Sequence, residues 1–153
     1  MAHKTAEKAL QIRKEMLDGK FPYFPVELSY VGHQVQFEDM HFDQTDVFLN
    51  SLRVLESTRK GEVLLDGGLR MKLWFRATPR GGLVISFCAE QFEPLFPGRC
   101  VLEGSFSLDG EFVYELVHSF EKLFLDGNPF TLRQDIEGTR GATINSIESH
   151  DAY

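Results

Sequence analysis

Between Cys100 and Leu125 the apolar residues change their spacing, and that change fixes a strand followed directly by a helix. Leu102, Phe106 and Leu108 alternate with polar residues, whereas beyond Asp109 the apolar positions become Phe112, Val113, Leu116, Val117, Phe120, Leu123 and Phe124. The first pattern has the two-residue period of a strand with one buried face, and the second the 3.6-residue period of an amphipathic helix. Asp109 stands where a carboxylate caps free first-turn amides, Glu111 suits the positive helix end, and Gly127 and Pro129 mark the exit.

Before this unit the turn residues parcel the chain into short elements. Glu62 to Leu65, Leu69 to Arg76, Leu83 to Ala89 and Cys100 to Leu108 read as a four-strand meander. Its connectors contain Asp66-Gly-Gly68, Pro79-Arg-Gly-Gly82 and Pro94-Leu-Phe-Pro-Gly98. The first two gaps are too short for a crossover, so the pairing is antiparallel. Val26 to Val31 and Gln34 to Glu38 form a hairpin around Gly32-His33, and a helix starting at Asp43 or Thr45 runs through Val47, Phe48, Leu52 and Leu55 to Gly61. Ala6, Ala9, Leu10, Ile12, Met16 and Leu17 have roughly helical spacing and predict a first helix over residues 4–18 that stops at Gly19. Phe21-Pro-Tyr-Phe-Pro25 then reads as a packed connector. Phe130 to Arg133 is a short final strand.

A faint echo runs through this order. Phe37 to Leu65 reads strand, acid cap, helix, glycine, strand, and Leu102 to Leu132 repeats it, so that Val47, Phe48, Leu52 and Leu55 fall on Phe112, Val113, Val117 and Phe120 at an offset of 65. The expectation is an α+β fold: a mainly antiparallel twisted sheet of about six to seven strands, with two to three helices packed on one face. Residues 1–133 make one domain. Residues 134–153, rich in Gly, Thr, Ser and acids, are expected as a C-terminal tail that is mobile or ordered by a partner.

With 153 residues, 42% of them apolar, the chain can bury a substantial core, and fourteen phenylalanines supply bulk for it. No run approaches the roughly 18 apolar residues of a membrane-crossing helix, and the charged start lacks the apolar block of a secretion signal, so a cytoplasmic protein is expected. In a reduced compartment Cys88 and Cys100 are expected as buried thiols. The net charge of −7 arises entirely in the second half. Residues 1–76 carry eleven Lys/Arg and eleven Asp/Glu, residues 77–153 five and twelve. That balance repels phosphate backbones and anionic lipid, which argues against nucleic acid and membrane surfaces; it suits a basic partner, or else only keeps the domain soluble.

Reactive constellations are sparse. His33, Glu38, Asp39, His41, Asp43 and Asp46 are the densest group of potential metal ligands, but strand alternation sends Glu38 and Asp39 to opposite faces, and no metal or other cofactor is expected. Cys88 and Cys100 lie in apolar strands with no activating signature, and no Gly-x-Ser-x-Gly motif is present, so no catalytic residues and no enzyme activity are expected. The paired glycines at 67–68 and 81–82 stand between strands and read as hairpin turns. In Leu69 to Arg76 one face carries Leu69, Met71, Leu73 and Phe75, leaving Arg70, Lys72, Trp74 and Arg76 on the other. That second face suits a protein or anion, or else pairs across strands with Glu103 or Glu90 while Trp74 tucks beneath a helix. The last helix exposes Glu111, Tyr114, Glu115 and His118, with five acids and one base between Asp109 and Asp126.

The hairpin Leu69-Arg-Met-Lys-Leu-Trp-Phe-Arg76 to Gly82-Leu-Val-Ile-Ser-Phe87, then Leu102-Glu-Gly-Ser-Phe-Ser-Leu-Asp109 and Glu111-Phe-Val-Tyr-Glu-Leu-Val-His118, resemble small acidic immunity proteins encoded beside bacterial polymorphic toxins, including families of the WapI type. The resemblance spans roughly residues 62–132. It implies a non-catalytic protein that binds a cognate toxin tightly and blocks its active site or substrate path, with Trp74, Glu111, Tyr114, Glu115 and His118 as partner-binding residues. The competing reading is a small-ligand-binding or regulatory domain, with the sheet face or the Phe21 to Pro25 connector roofing a pocket.

Overall fold

The computed structural model describes residues 7–92, 99–135 and 141–145. The fold is α+β, and its antiparallel strands divide into two sheets. Strands β1 (Glu7–Ile12), β2 (Glu15–Leu17), β3 (Phe21–Tyr30), β4 (His33–Met40), β9 (Phe130–Asp135) and β10 (Thr143–Ile144) form the first, with β10, β9, β1 and β3 adjacent in that order and β4 on the far side of β3. The second contains β5 (Glu62–Asp66), β6 (Met71–Ala77), β7 (Leu83–Phe92) and β8 (Arg99–Leu108) in sequential order. Helices α1 (Thr45–Thr58) and α2 (Val113–Glu121), the latter extended by a π-helical turn over Lys122–Asp126, pack on the inner faces.

The expected first helix does not form over the described residues: from Glu7 on they make β1 and β2. Leu10 and Ile12 point into the core while Ala9 and Gln11 are only half-buried, and β1 is hydrogen-bonded on both sides, to β3 and β9. A strand held by two neighbours overrides weak local helical spacing. β2 resumes the register of β1 along β3 after a break at Arg13–Lys14, and Asp18-Gly19, both at positive φ, turn the chain into β3. The expected connector Phe21–Pro25 is therefore the start of a strand. Pro25 sits at a register shift opposite β4, where a missing N–H is tolerated, and its carbonyl accepts from the Arg13 amide at 3.0 Å.

The β3–β4 hairpin turns at Val31-Gly32, both at positive φ, one residue earlier than read from sequence. The four-strand meander forms with its alternation kept, except that Leu69, expected on the inner face of the second strand, lies in the turn before β6 and is 83% exposed. Val63, Leu65, Met71, Leu73, Phe75, Leu83, Ile85, Phe87, Phe106 and Leu108 all face inward. α1 begins at Thr45, one of the two expected starts, behind Gln44 in the left-handed conformation, whereas Asp109 makes no side-chain cap, its carboxylate lying instead against Gly141. Part of the expected tail is structured too: residues 134–135 complete β9, and Ala142 and Ile144 are buried. The rest of that segment, residues 136–140 and 146–153, lies outside the described residues.

The sequence echo corresponds to a larger repeat of topology. Strands β1, β3 and β4 lead through α1 to β5, while β6, β7 and β8 lead through α2 to β9. In each case the strand after the helix crosses to the other sheet, so that β5 pairs with β6 and β9 with β1. Of the aligned helix residues, Phe48, Leu52 and Leu55 are buried, as are Val113, Val117 and Phe120; Val47 is exposed and Phe112 half-buried.

One core joins all these elements. Phe120 of α2 lies 5.2 Å from Phe48 of α1, 5.6 Å from Phe75 of β6 and 4.3 Å from Phe130 of β9, centroid to centroid, so a single ring touches both sheets and the other helix. A second junction lies where Tyr30 of β3 packs edge-on against Phe87 and covers Gly104, at which any Cβ would fall 2.3 Å from the ring. Lys8 completes it by donating to the Ser105 carbonyl at 2.8 Å, and partial burial lowers its pKa.

Candidate functional site

Strand alternation leaves the four-stranded sheet with a second face, turned away from the helices. Across it the register aligns Leu64, Trp74, Ser86 and Ser105 in one row, Glu62, Arg76, Val84 and Ser107 in the next, and Asp66, Lys72, Cys88 and Glu103 on the other side. Trp74 is half-buried among small neighbours, and Leu64 and Val101 remain 40% and 42% exposed. Trp74 is thus not tucked beneath a helix, because α1 and α2 lie against Phe75 on the opposite side of the same strand. It stands opposite Leu64 and Ser86 rather than an acid. Cys88 also belongs to this outer face and is half-buried, short of the full burial expected for a core thiol.

The cations of this region are largely engaged. Lys72 donates to Asp66 at 2.8 Å, and Arg70 bonds Asp39 at 2.5 Å from a position before β6 begins. The Lys72 ammonium and the Gly68 amide, both hydrogen-bonded to Asp66, hold its carboxyl below the usual carboxylate range. Asp39 is likewise lowered, by its hydrogen bond and charge contact with Arg70.

The remaining sequence-predicted residues form a separate surface on α2. Tyr114 is 64% exposed and stacks on His118 with centroids 5.9 Å apart and planes 7° from parallel, and Glu111 and Glu115 are exposed beside them. Glu121 borders this stripe but is committed to Arg53 of α1 at 2.6 Å, with His118 3.7 Å away. Since α2 packs on the inner side of the four-stranded sheet, the structure does not bring Trp74 together with the α2 group.

Two further surface features stand out, the first beside the Phe21 to Pro25 segment expected to roof a pocket, the second not foreseen from the sequence. The β2–β3 hairpin exposes Met16, Leu17 and Phe21, and beside it lies a hollow of about 460 Å³ lined by Leu17, Phe21, Tyr23, Glu38, Asp39 and His41. The second is a groove of about 530 Å³ between α1 and the outer edge of β5, lined by Asp43, Gln44, Val47, Phe48, Ser51, Glu62, Val63, Leu64 and Asp66. The Asp18-Gly19 dipeptide was a legible hairpin signal for the first; the second needs the sheet order. Among the described residues no three His, Cys, Asp or Glu side chains are placed to share a metal ion, and no helix is long and apolar enough to cross a membrane.

Comparison with family models, curated proteins and solved structures finds no match to this chain.

Proposed function

We propose that this chain is a non-catalytic protein-binding protein, an immunity protein that neutralises a cognate bacterial toxin by tight binding in the cytoplasm of the producing cell. The observation that carries the reading is the outer face of the four-stranded sheet, uncovered among the described residues, where a half-buried Trp74 sits in a row with an exposed Leu64. A rigid aromatic amid small neighbours and polar flanks has the composition of an interface anchor. The acidic α2 surface supplies long-range attraction for a basic toxin and speeds capture, and Tyr114 offers a second aromatic contact.

Coexpression tests this directly. The product of the neighbouring open reading frame should arrest growth alone and be harmless beside this chain, and protection should fail with Trp74→Ala although the variant folds. Arrest that persists in the presence of the intact chain overturns the proposal. A second reading, capture of a small ligand, rests on the hollow walled by Phe21 and Tyr23 and predicts a molecule that copurifies with the protein.

A further inference from the structure

We infer that the edge of β5 is a docking site for an extended, basic segment of a partner protein, which adds to the four-stranded sheet as a fifth strand. β5 ends the sheet order, and its pairing with β6 shows which backbone groups are spent. The Gly67 amide donates to Met71 and the Ala77 amide to Gly61, so in this register the odd-numbered residues of β5 exchange bonds with β6. The peptide groups of Glu62, Leu64 and Asp66 therefore point the other way. Of these, the Asp66 carbonyl accepts from the Asp43 amide at 3.1 Å; the others have no partner among the described residues. Unpaired edge groups of this kind are a template for main-chain pairing.

The surroundings make that edge a groove. Val47, 51% exposed, and Phe48 stand beside it on α1, and the space between helix and strand is about 530 Å³. Strand alternation then dictates what fits. In the added strand, side chains directed inward meet Val47 and Val63, and those directed outward continue the row of Leu64 and Trp74. The ionisable residues lining the groove, Asp43, Glu62 and Asp66, are all acidic, and although Lys72 already engages Asp66, together they select Lys or Arg at the outward positions flanking the centre, most strongly beside Glu62. The same charges disfavour a second copy of this chain: antiparallel pairing of two β5 edges centred on Leu64 sets Glu62 of one against Asp66 of the other.

The probe is the end-blocked peptide Thr-Lys-Val-Leu-Val-Lys-Thr, titrated against the whole protein while amide hydrogen exchange and the fluorescence of its single tryptophan are followed. Binding is expected to slow exchange at Glu62, Leu64 and Asp66, leave Val63 and Leu65 unchanged, and shift Trp74 emission. Leu64→Pro removes one outward N–H without taking a bond from β6 and should weaken binding about tenfold, the scale of one or two net hydrogen bonds. If that variant misfolds, the same loss is expected when the peptide is N-methylated at the amides facing β5. Equal binding of the methylated peptide, or of one with Glu in place of Lys, overturns the inference. So does protection at those amides by self-association without peptide. The assay uses no toxin, so its failure leaves neutralisation through Trp74 and α2 standing, and failed neutralisation leaves the strand-edge site standing.

Discussion

A row across the outside of the six-stranded sheet reads Gln36, Glu27, Gln11 and Thr131, whereas a row across the outside of the four-stranded sheet reads Leu64, Trp74, Ser86 and Ser105. Both rows arise from the same alternation over one shared core, so the demands of folding do not account for the contrast. The polar row is satisfied in part within the sheet itself, where Gln36 donates to Glu27 at 3.0 Å and Thr131 is buried. The other leaves apolar surface uncovered in the described molecule, which is the kind of surface a partner seals.

The comparison can be broken most forcefully through the core that makes both faces rigid. Phe120→Ala removes the ring that touches Phe48, Phe75 and Phe130, and should cost about 3–5 kcal/mol in urea unfolding. An unchanged midpoint would mean the sheets do not depend on a common core. On an intact fold, Trp74→Ala should weaken partner binding by about 2 kcal/mol or more, the scale of an interface anchor, while Gln36→Ala on the opposite sheet leaves it unaltered. Equal losses by calorimetry would erase the distinction between the faces. Glu111→Lys combined with Glu115→Lys should slow association by about tenfold at low salt and flatten its salt dependence, with little change in dissociation. Stopped-flow mixing with the proposed toxin partner reads both rates.

The smallest effect is that of pH on the rim of the apolar face. Because Lys72 and the Gly68 amide lower the Asp66 pKa in the folded protein, the carboxylate contributes stability above the ordinary aspartate value. That contribution is lost as pH falls through the lower folded value, in the range below about pH 4. Asp39 with Arg70 acts in the same direction. Asp66→Asn should therefore lose less stability than the native chain on acidification, as followed by circular dichroism.

Where local pattern and tertiary pairing agree, the fold was legible. The alternation in β5 to β8, the change of period at Asp109 and the left-handed exit at Gly127 all appear as written in the residues. Where pairing partners lie far along the chain, local reading failed. β1 became a strand because Phe130–Asp135, more than a hundred residues away, flanks it, and Ala142 and Ile144 belong to the core because β8 accepts the Ala142 amide at the Ser107 carbonyl and β9 offers Ile144 an edge. Gly104 was a signal left unused, since a lone glycine within a strand marks the close approach of another group, here Tyr30. For the candidate site, the face holding Trp74 followed from parity alone, while its openness and the β5 groove depend on which sheet the helices cover.

The crossing of β5 and β9 makes the two halves of the chain hold each other by a mutual clasp. Severed in the turn at Gly68–Leu69, each fragment keeps three meander strands and a helix but presents one strand that only the other fragment can receive. Mixed together, the pieces should reassemble; kept apart, neither can close. A polypeptide of half this length, built on the same plan, would reach a similar body only by embracing its own duplicate.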